Sequence, residues 1–257
     1  MPHDMLEPPL SELSGSRKVI FYDQLGCGNS DWPKDRSLWK LSRFVDDLER
    51  VISNLKLKRY HLLGHSFGTT LATSFALTKL KGMESLILSS PCLSAKVWEH
   101  ETTKLLKLLP KKAQKAIADY EKYGKNKKAY DQAYKEYWAR FLYKSENIPK
   151  LYWKLRSRYK RKINYEVYNT MWGPNEIKAT GNMAGFDLST RLHEIKVPVL
   201  LLCGRYDEST PESTKYFKNL FPNAQMKVFE RSAHMTFWTD RTEFIKTVRI
   251  FLNKVGK

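Results

Sequence analysis

Apolar residues in this chain cluster in short runs, and stretches with helical periodicity separate the runs. Lys18-Val19-Ile20-Phe21-Tyr22, Arg59-Tyr60-His61-Leu62-Leu63, Glu84-Ser85-Leu86-Ile87-Leu88-Ser89, Val197-Pro198-Val199-Leu200-Leu201-Leu202-Cys203 and Gln225-Met226-Lys227-Val228-Phe229 each read as a buried strand. Between Leu41 and Leu57, Phe44, Leu48, Val51, Ile52 and Leu55 share one face of a helix. Helices are also predicted from Thr69 to about Lys81, over Pro211–Phe221 and over Arg241–Lys254. Strands alternating with helices imply a mostly parallel sheet flanked by helices.

The alternation breaks after Pro91. From about Ser94 to Gly173 the pattern is helical only, with candidate helices at Lys96–Leu109, Lys111–Tyr123, Asn126–Lys144 and Lys150–Thr170 and stops at Pro110, Gly124 and Pro149. The chain therefore divides into a first part of the core (1–93), a helical lid (94–180) and a second part of the core (181–257). It carries no internal repeat or low-complexity tract.

Composition changes this picture little. Hydrophobic residues make up 42% and charged residues 28% of 257 residues, an ordinary balance for a soluble α/β domain with an insertion. No apolar run approaches a membrane span, the N-terminus lacks the regions of a signal peptide, and three cysteines (Cys27, Cys92 and Cys203) form no paired spacing, so a cytoplasmic protein without disulfides or a structural metal is expected. The net charge of +18 is uneven: residues 93–180 hold 21 Lys plus Arg against 9 Asp plus Glu, together with ten tyrosines and four tryptophans. Basic residues interleaved with aromatics occur in nucleic-acid-binding proteins. No such motif accompanies them here, so the charge reads as the solvated face of amphipathic helices and no nucleic-acid partner is expected.

The candidate chemistry lies at strand ends. Gly64-His65-Ser66-Phe67-Gly68 has the G-x-S-x-G form of a nucleophile elbow, with a strand before it and a helix after it, as that turn requires. Both glycines are expected to relieve backbone crowding there. A serine hydroxyl needs a base, usually a histidine oriented by a carboxylate. Asp207 follows the run ending at Cys203, and His234 follows the run ending at Phe229, so Ser66, Asp207 and His234 all lie just past the carboxyl ends of parallel strands. Glu208 is a rival to Asp207 as the acid, but stands further from the strand end. The other histidines (His3, His61, His65, His100 and His193) read as structural, and no metal-ligand spacing is present.

With these residues in place, the chain resembles the proline iminopeptidase group of α/β-hydrolases, which includes the tricorn-interacting aminopeptidases. The matching stretches are Tyr22-Asp23-Gln24-Leu25-Gly26-Cys27-Gly28-Asn29-Ser30, Leu63-Gly64-His65-Ser66-Phe67-Gly68 and Met171-Trp172-Gly173-Pro174-Asn175-Glu176. Two more are Gly204-Arg205-Tyr206-Asp207-Glu208-Ser209-Thr210-Pro211 and Ser232-Ala233-His234-Met235. They run from about Val19 to the C-terminus. The resemblance implies an α/β-hydrolase fold with a helical lid and a triad of Ser66, Asp207 and His234. It assigns the Phe67 N–H to the oxyanion hole and gives Glu176 and Glu208 to the substrate's free α-amino group. The expected activity is a serine aminopeptidase releasing N-terminal proline or another small or apolar residue from short peptides, with no cofactor. Trp138, Tyr143, Trp153 and Trp172 are candidates to shape the pocket.

The chain also departs from that group. The family carries H-G-G-P-G just before the position matching Met1, so the first strands and one oxyanion donor are expected to be missing. The family's strand order then leaves a gap between Lys18–Tyr22 and Arg59–Leu63, with incomplete burial at Val19, Phe21, Leu62 and Leu63 and poor solubility. Losing one oxyanion donor typically costs roughly two to three orders of magnitude in rate. Lesser departures are Thr69 and the Thr239-Asp240 pair. Two other functions fit the same elements. One is an esterase or amidase on non-peptide acyl substrates, which has no need of Glu176 and Glu208. The other is an inactive remnant acting at most as a binding protein.

Overall fold

The structure is a computed structural model, and it describes residues 1–79, 81–159 and 164–255. Four strands, β1 (Tyr60–His65), β2 (Met83–Ser89), β3 (Val199–Gly204) and β4 (Ala224–Phe229), form one parallel sheet in the order β1-β2-β3-β4. The helices in chain order are α1 (Glu7–Leu10), α2 (Leu41–Asn54), α3 (Phe67–Ala76), α4 (Ala95–Leu106), α5 (Lys111–Tyr123), α6 (Lys127–Tyr137), α7 (Lys150–Tyr159), α8 (Tyr165–Met171), α9 (Pro211–Leu220), α10 (Thr236–Thr239) and α11 (Arg241–Val255). The strand period of two sorts the sheet's side chains into two cores. Ile87, Leu200 and Leu202 meet Phe244, Val248 and Phe251 of α11 on one face. Leu86, Leu88, Val199 and Leu201 meet Ala72 and Ala76 of α3 and Phe217 of α9 on the other. Helices on both faces leave β3 buried along its whole length, so it reads as a continuous apolar run.

Four of the five predicted strands are present. The fifth, Lys18–Tyr22, is not a strand. It runs without regular secondary structure and pairs with no neighbour, because among the described residues the sheet ends at β1. A strand without a partner has no ladder to donate to, and only side-chain packing holds this one: Phe21 against the core cluster that also takes Leu63, and Tyr22 against the cluster around Trp39 and Phe44. Val19, Phe21, Leu62 and Leu63 are all only partly buried, as the open edge leads one to expect.

The helices differ from their predicted bounds for local reasons. The helix predicted to reach Lys81 stops at Ala76, and the one predicted to reach Leu57 stops at Asn54; left-handed residues follow both ends, Lys79 (φ 59°) and Lys56 (φ 53°). Asn126–Lys144 divides into α6 and a wider π-turn, Trp138–Tyr143, closed by left-handed Lys144. Lys150–Thr170 contains α7 and α8, and its residues 160–163 lie outside the described set. Asn164 opens α8 by accepting the N–H groups of Glu166 and Val167 with its side chain. Between β2 and β3 the described residues form no sheet strand; an isolated bridge, Ser94 to Asp187, ties the start of this helical segment to its end.

Candidate active site

The turn after β1 holds Ser66 at φ 55° and ψ −124°, a conformation that L-residues rarely adopt. Two bonds fix it. The Ser66 N–H donates to the Ser89 carbonyl at 3.0 Å, and Thr69 donates both its N–H and its hydroxyl back to the Ser66 carbonyl. Thr69 is fully buried, and its hydroxyl also accepts the Cys92 N–H at 2.9 Å, tying the elbow to the chain beyond β2. A glycine at that position has no side chain to do this. Of the two elbow glycines only Gly64 is sterically required: a Cβ there would stand 2.2 Å from the Gly68 carbonyl oxygen, whereas one at Gly68 would meet nothing within 4 Å. The expectation of crowding at both is corrected to one. Phe67 opens α3, so its N–H lies in the first turn, where no intrahelical acceptor exists.

Asp207 sits in the loop after β3 and is 1% exposed. One of its oxygens accepts His234 Nδ1 at 2.7 Å and the Ser209 N–H at 2.9 Å, and the other accepts the Ser90 hydroxyl at 2.6 Å and the Gly204 N–H at 3.3 Å. Four donors suit an ionised carboxylate. Glu208 Oε1 is 3.9 Å from the same His234 nitrogen, too far to compete for its proton. His234, 2% exposed, is held from behind by aromatic rings. The His65 ring centroid is 4.8 Å away and that of Trp98 is 6.2 Å away. His65 is the residue before Ser66, so this contact brings the β1 turn against the loop that carries His234. Burial and the neighbouring imidazole press the pKa of His65 well below its usual value, so the ring is neutral.

Two further carboxylates face this group. Glu208 is completely buried, and neither of its oxygens has a hydrogen-bond partner. Burial, then Glu176, then Asp207 push its pKa well above the ordinary carboxylate range, and the Tyr137 hydroxyl beside it works in the opposite direction without cancelling them. Glu176, partly buried, accepts a hydrogen bond from the Tyr168 hydroxyl, and its carbonyl accepts the indole N–H groups of Trp98 at 2.8 Å and Trp172 at 3.3 Å. Tyr137, on α6, is fully buried beside Glu208, and its hydroxyl makes no hydrogen bond of ordinary geometry. Among the described residues no Lys or Arg forms an ion pair with either glutamate, and no group of His, Cys, Asp and Glu is arranged to hold a metal.

Sequence reading named Ser66, Phe67, Asp207, His234, Glu176 and Glu208. It missed Ser90, Tyr137, Tyr168 and the ring contacts of His65 and Trp98, which belong to no short motif. Of the four aromatics named for the pocket, Trp172 packs edge-on against Trp98, and Trp138 keeps a buried, unpartnered indole N–H beside Tyr134. Tyr143 and Trp153 instead pack on each other and on Tyr152, at the core cluster that includes Met5 and Leu10. Of the other histidines, His3 bonds Asp23 at 2.9 Å and His61 bonds Ser85 at 2.8 Å.

This arrangement has relatives. The sequence profile of the alpha/beta hydrolase fold matches residues 1–241. Proline iminopeptidase of Heyndrickxia coagulans is 42% identical over 247 residues, covering 96% of this chain and 85% of that protein. Proline iminopeptidase of Lactobacillus delbrueckii subsp. lactis is 37% identical, covering 91% of this chain and 80% of that protein. Among solved structures, proline iminopeptidase of Mycobacterium smegmatis superposes with a TM-score of 0.89 at 29% identity, covering 98% of this chain and 85% of that one. VinJ superposes with a TM-score of 0.90 at 27% identity, covering 99% and 86%. On this sheet and these matches, the chain is a hydrolase and belongs to the proline iminopeptidase family of α/β-hydrolases.

Proposed function

We propose that the chain's site is that of a serine aminopeptidase releasing N-terminal proline, or another small or apolar residue, from short peptides. Ser66 Oγ attacks the carbonyl of the first residue while His234 takes its proton through Nε2. Asp207, bonded to Nδ1, fixes the tautomer and stabilises the imidazolium. The Phe67 N–H bonds the oxygen on which negative charge develops. His234 then hands the proton to the leaving amine, the bond to the rest of the peptide breaks, and an acyl-serine remains. Water, deprotonated by the same histidine, releases the amino acid and restores Ser66. Asp207 does not take the proton.

The observation that carries the reading is the pair of acids beside this machinery. A fully buried carboxylate with no protein donor in ordinary hydrogen-bond geometry is costly unless a cation completes it. Glu208 with Glu176 would hold an ammonium group next to the reacting carbonyl, selecting peptides by an unblocked N-terminus. An esterase or amidase acting on non-peptide acyl groups leaves both acids without a role. The names of the relatives point to proline as the first residue. Segment 94–180, which carries Glu176, Tyr137 and Trp98, serves as the lid over that residue.

The test compares a proline arylamide, its N-acetyl counterpart and a simple ester. Glu176→Gln and Glu208→Gln are expected to weaken free-amine cleavage by roughly 2–3 kcal/mol of transition-state binding, as for a charge-assisted contact, while sparing the ester. Equal losses on blocked and unblocked substrates would favour the esterase. A fluorophosphonate is expected to label Ser66 and to fail on Ser66→Ala; labelling that survives the substitution removes Ser66 as nucleophile.

A further inference from the structure

Glu208 cannot be an ordinary ionised carboxylate in the empty site. Its surroundings come from six directions. Asp207 is its neighbour on the same loop, and Glu176 faces it from the loop after α8. His234 approaches from the loop after β4, but its near nitrogen is committed to Asp207 at 2.7 Å. Tyr137 of α6, Tyr168 of α8 and Cys92 beyond β2 complete the shell, all three pushed towards their neutral forms by burial and by these carboxylates. Two of the six are acids, none is a free cation, and no protein donor makes a hydrogen bond of ordinary geometry to either oxygen of Glu208, the neutral Tyr137 hydroxyl being the donor beside it. A negative charge at this point would be desolvated and repelled from two sides, and the Tyr137 hydroxyl offsets only part of that.

We propose that Glu208 carries a proton in the empty site and that the substrate's ammonium group replaces it, so that free-amine ligands bind with release of one proton to solvent. This rests on the aminopeptidase reading above and adds a consequence to it. The exchange balances: a carboxylic acid and an ammonium ion from solution become a carboxylate–ammonium pair plus one solvated proton. The ammonium removes the objection to ionisation by supplying donors to Glu208 and a positive charge between it and Glu176. The Tyr137 hydroxyl, idle in the empty site, then has a charged acceptor beside it. Specificity follows from the same step. A blocked N-terminus carries no charge to exchange, so it leaves Glu208 protonated and gains nothing from either acid. Acidification works against binding, because the ligand then competes with a higher concentration of protons for Glu208.

Calorimetric titration of the Ser66→Ala protein with L-prolinamide tests this without turnover. It is run at about pH 6.5, well below the ordinary α-amino value of about 8, so the free ligand is already charged. In buffers of different ionisation enthalpy, the observed heat is expected to vary with a slope of about one proton released per ligand, and affinity is expected to rise up to about tenfold per pH unit. Infrared difference spectra are expected to lose a protonated-carboxyl C=O stretch on binding. In Ser66→Ala/Glu208→Gln the proton release and the infrared band are expected to vanish. Selective binding of L-prolinamide over N-acetyl-L-prolinamide with no proton release overturns the exchange and leaves the aminopeptidase reading standing. Release that persists undiminished in the Gln variant also overturns it, since the proton would then come from another group. Equal binding of the two amides overturns both.

Discussion

Two adjacent acids in one loop, Asp207 and Glu208, live in opposite environments. Asp207 collects four donors, and Glu208 has none in ordinary geometry, although both are buried. The separation suits the two proposed roles, one carboxylate bonded to orient an imidazole and one held in reserve for a ligand. It also has a cost in stability. The folded-state pKa of Glu208 is raised above its unfolded value, so the folded state binds this proton more tightly than the unfolded chain does. Its contribution is therefore most favourable below the unfolded carboxylate value and is lost as pH rises from there towards the elevated folded pKa. Glu208→Gln removes the titration while keeping the shape. Urea midpoints of the two proteins, measured from acid to neutral pH, are expected to diverge in favour of the variant as pH rises. A gap that stays constant, or that closes towards neutral pH, contradicts the assignment.

At the scale of elements, the strand–turn–helix unit β1–α3 sets the position of Ser66. The chain crosses itself there so closely that the Gly68 carbonyl occupies the space of a Cβ on Gly64. Gly64→Ala must displace backbone and is expected to cost about 1–3 kcal/mol or more, with loss of activity as the elbow shifts. Gly68→Ala meets nothing, lies inside α3 and gains helix propensity, so it is expected to be neutral or to stabilise by up to about 1 kcal/mol. Denaturant unfolding of the two variants checks the contrast; equal effects would mean that the turn is not built as described. The same unit shows how short contacts replace a glycine, with Thr69 stitching the Ser66 carbonyl to the Cys92 N–H.

At the scale of the whole molecule, charge sets the balance. Helix-surface pairs such as Lys115–Asp119, Lys127–Asp131 and Arg140–Glu136 favour folding, but exposed i,i+4 pairs contribute only about 0.3–0.5 kcal/mol each and weaken in salt. Against them stands a net charge of +18, whose self-repulsion salt also screens. The repulsion outweighs the pairs, so Tm is expected to rise between about 10 and 150 mM sodium chloride, a range over which the Debye length shrinks from about 30 to about 8 Å. A falling Tm would show that the ion pairs dominate instead.

How much was legible in advance follows the range of the interactions. Strands β1 to β4 and the positions of Ser66, Asp207 and His234 could be read because apolar runs and elbow turns are local patterns, and in a parallel sheet each strand's carboxyl end reaches the same edge. Glu176 and Glu208 were named through family resemblance; as isolated acids in loops they carry no local signature. Lys18–Tyr22 has the composition of a strand, but strand formation needs a neighbour's hydrogen bonds, and composition cannot report whether that neighbour is there. Only the tertiary structure set Tyr137 beside Glu208, brought His65 against His234, and left one carboxylate with four donors and the next with none in ordinary geometry. Those facts depend on residues far apart in the chain meeting in space, where burial and the sum of nearby charges, rather than residue type, decide which acid is ionised.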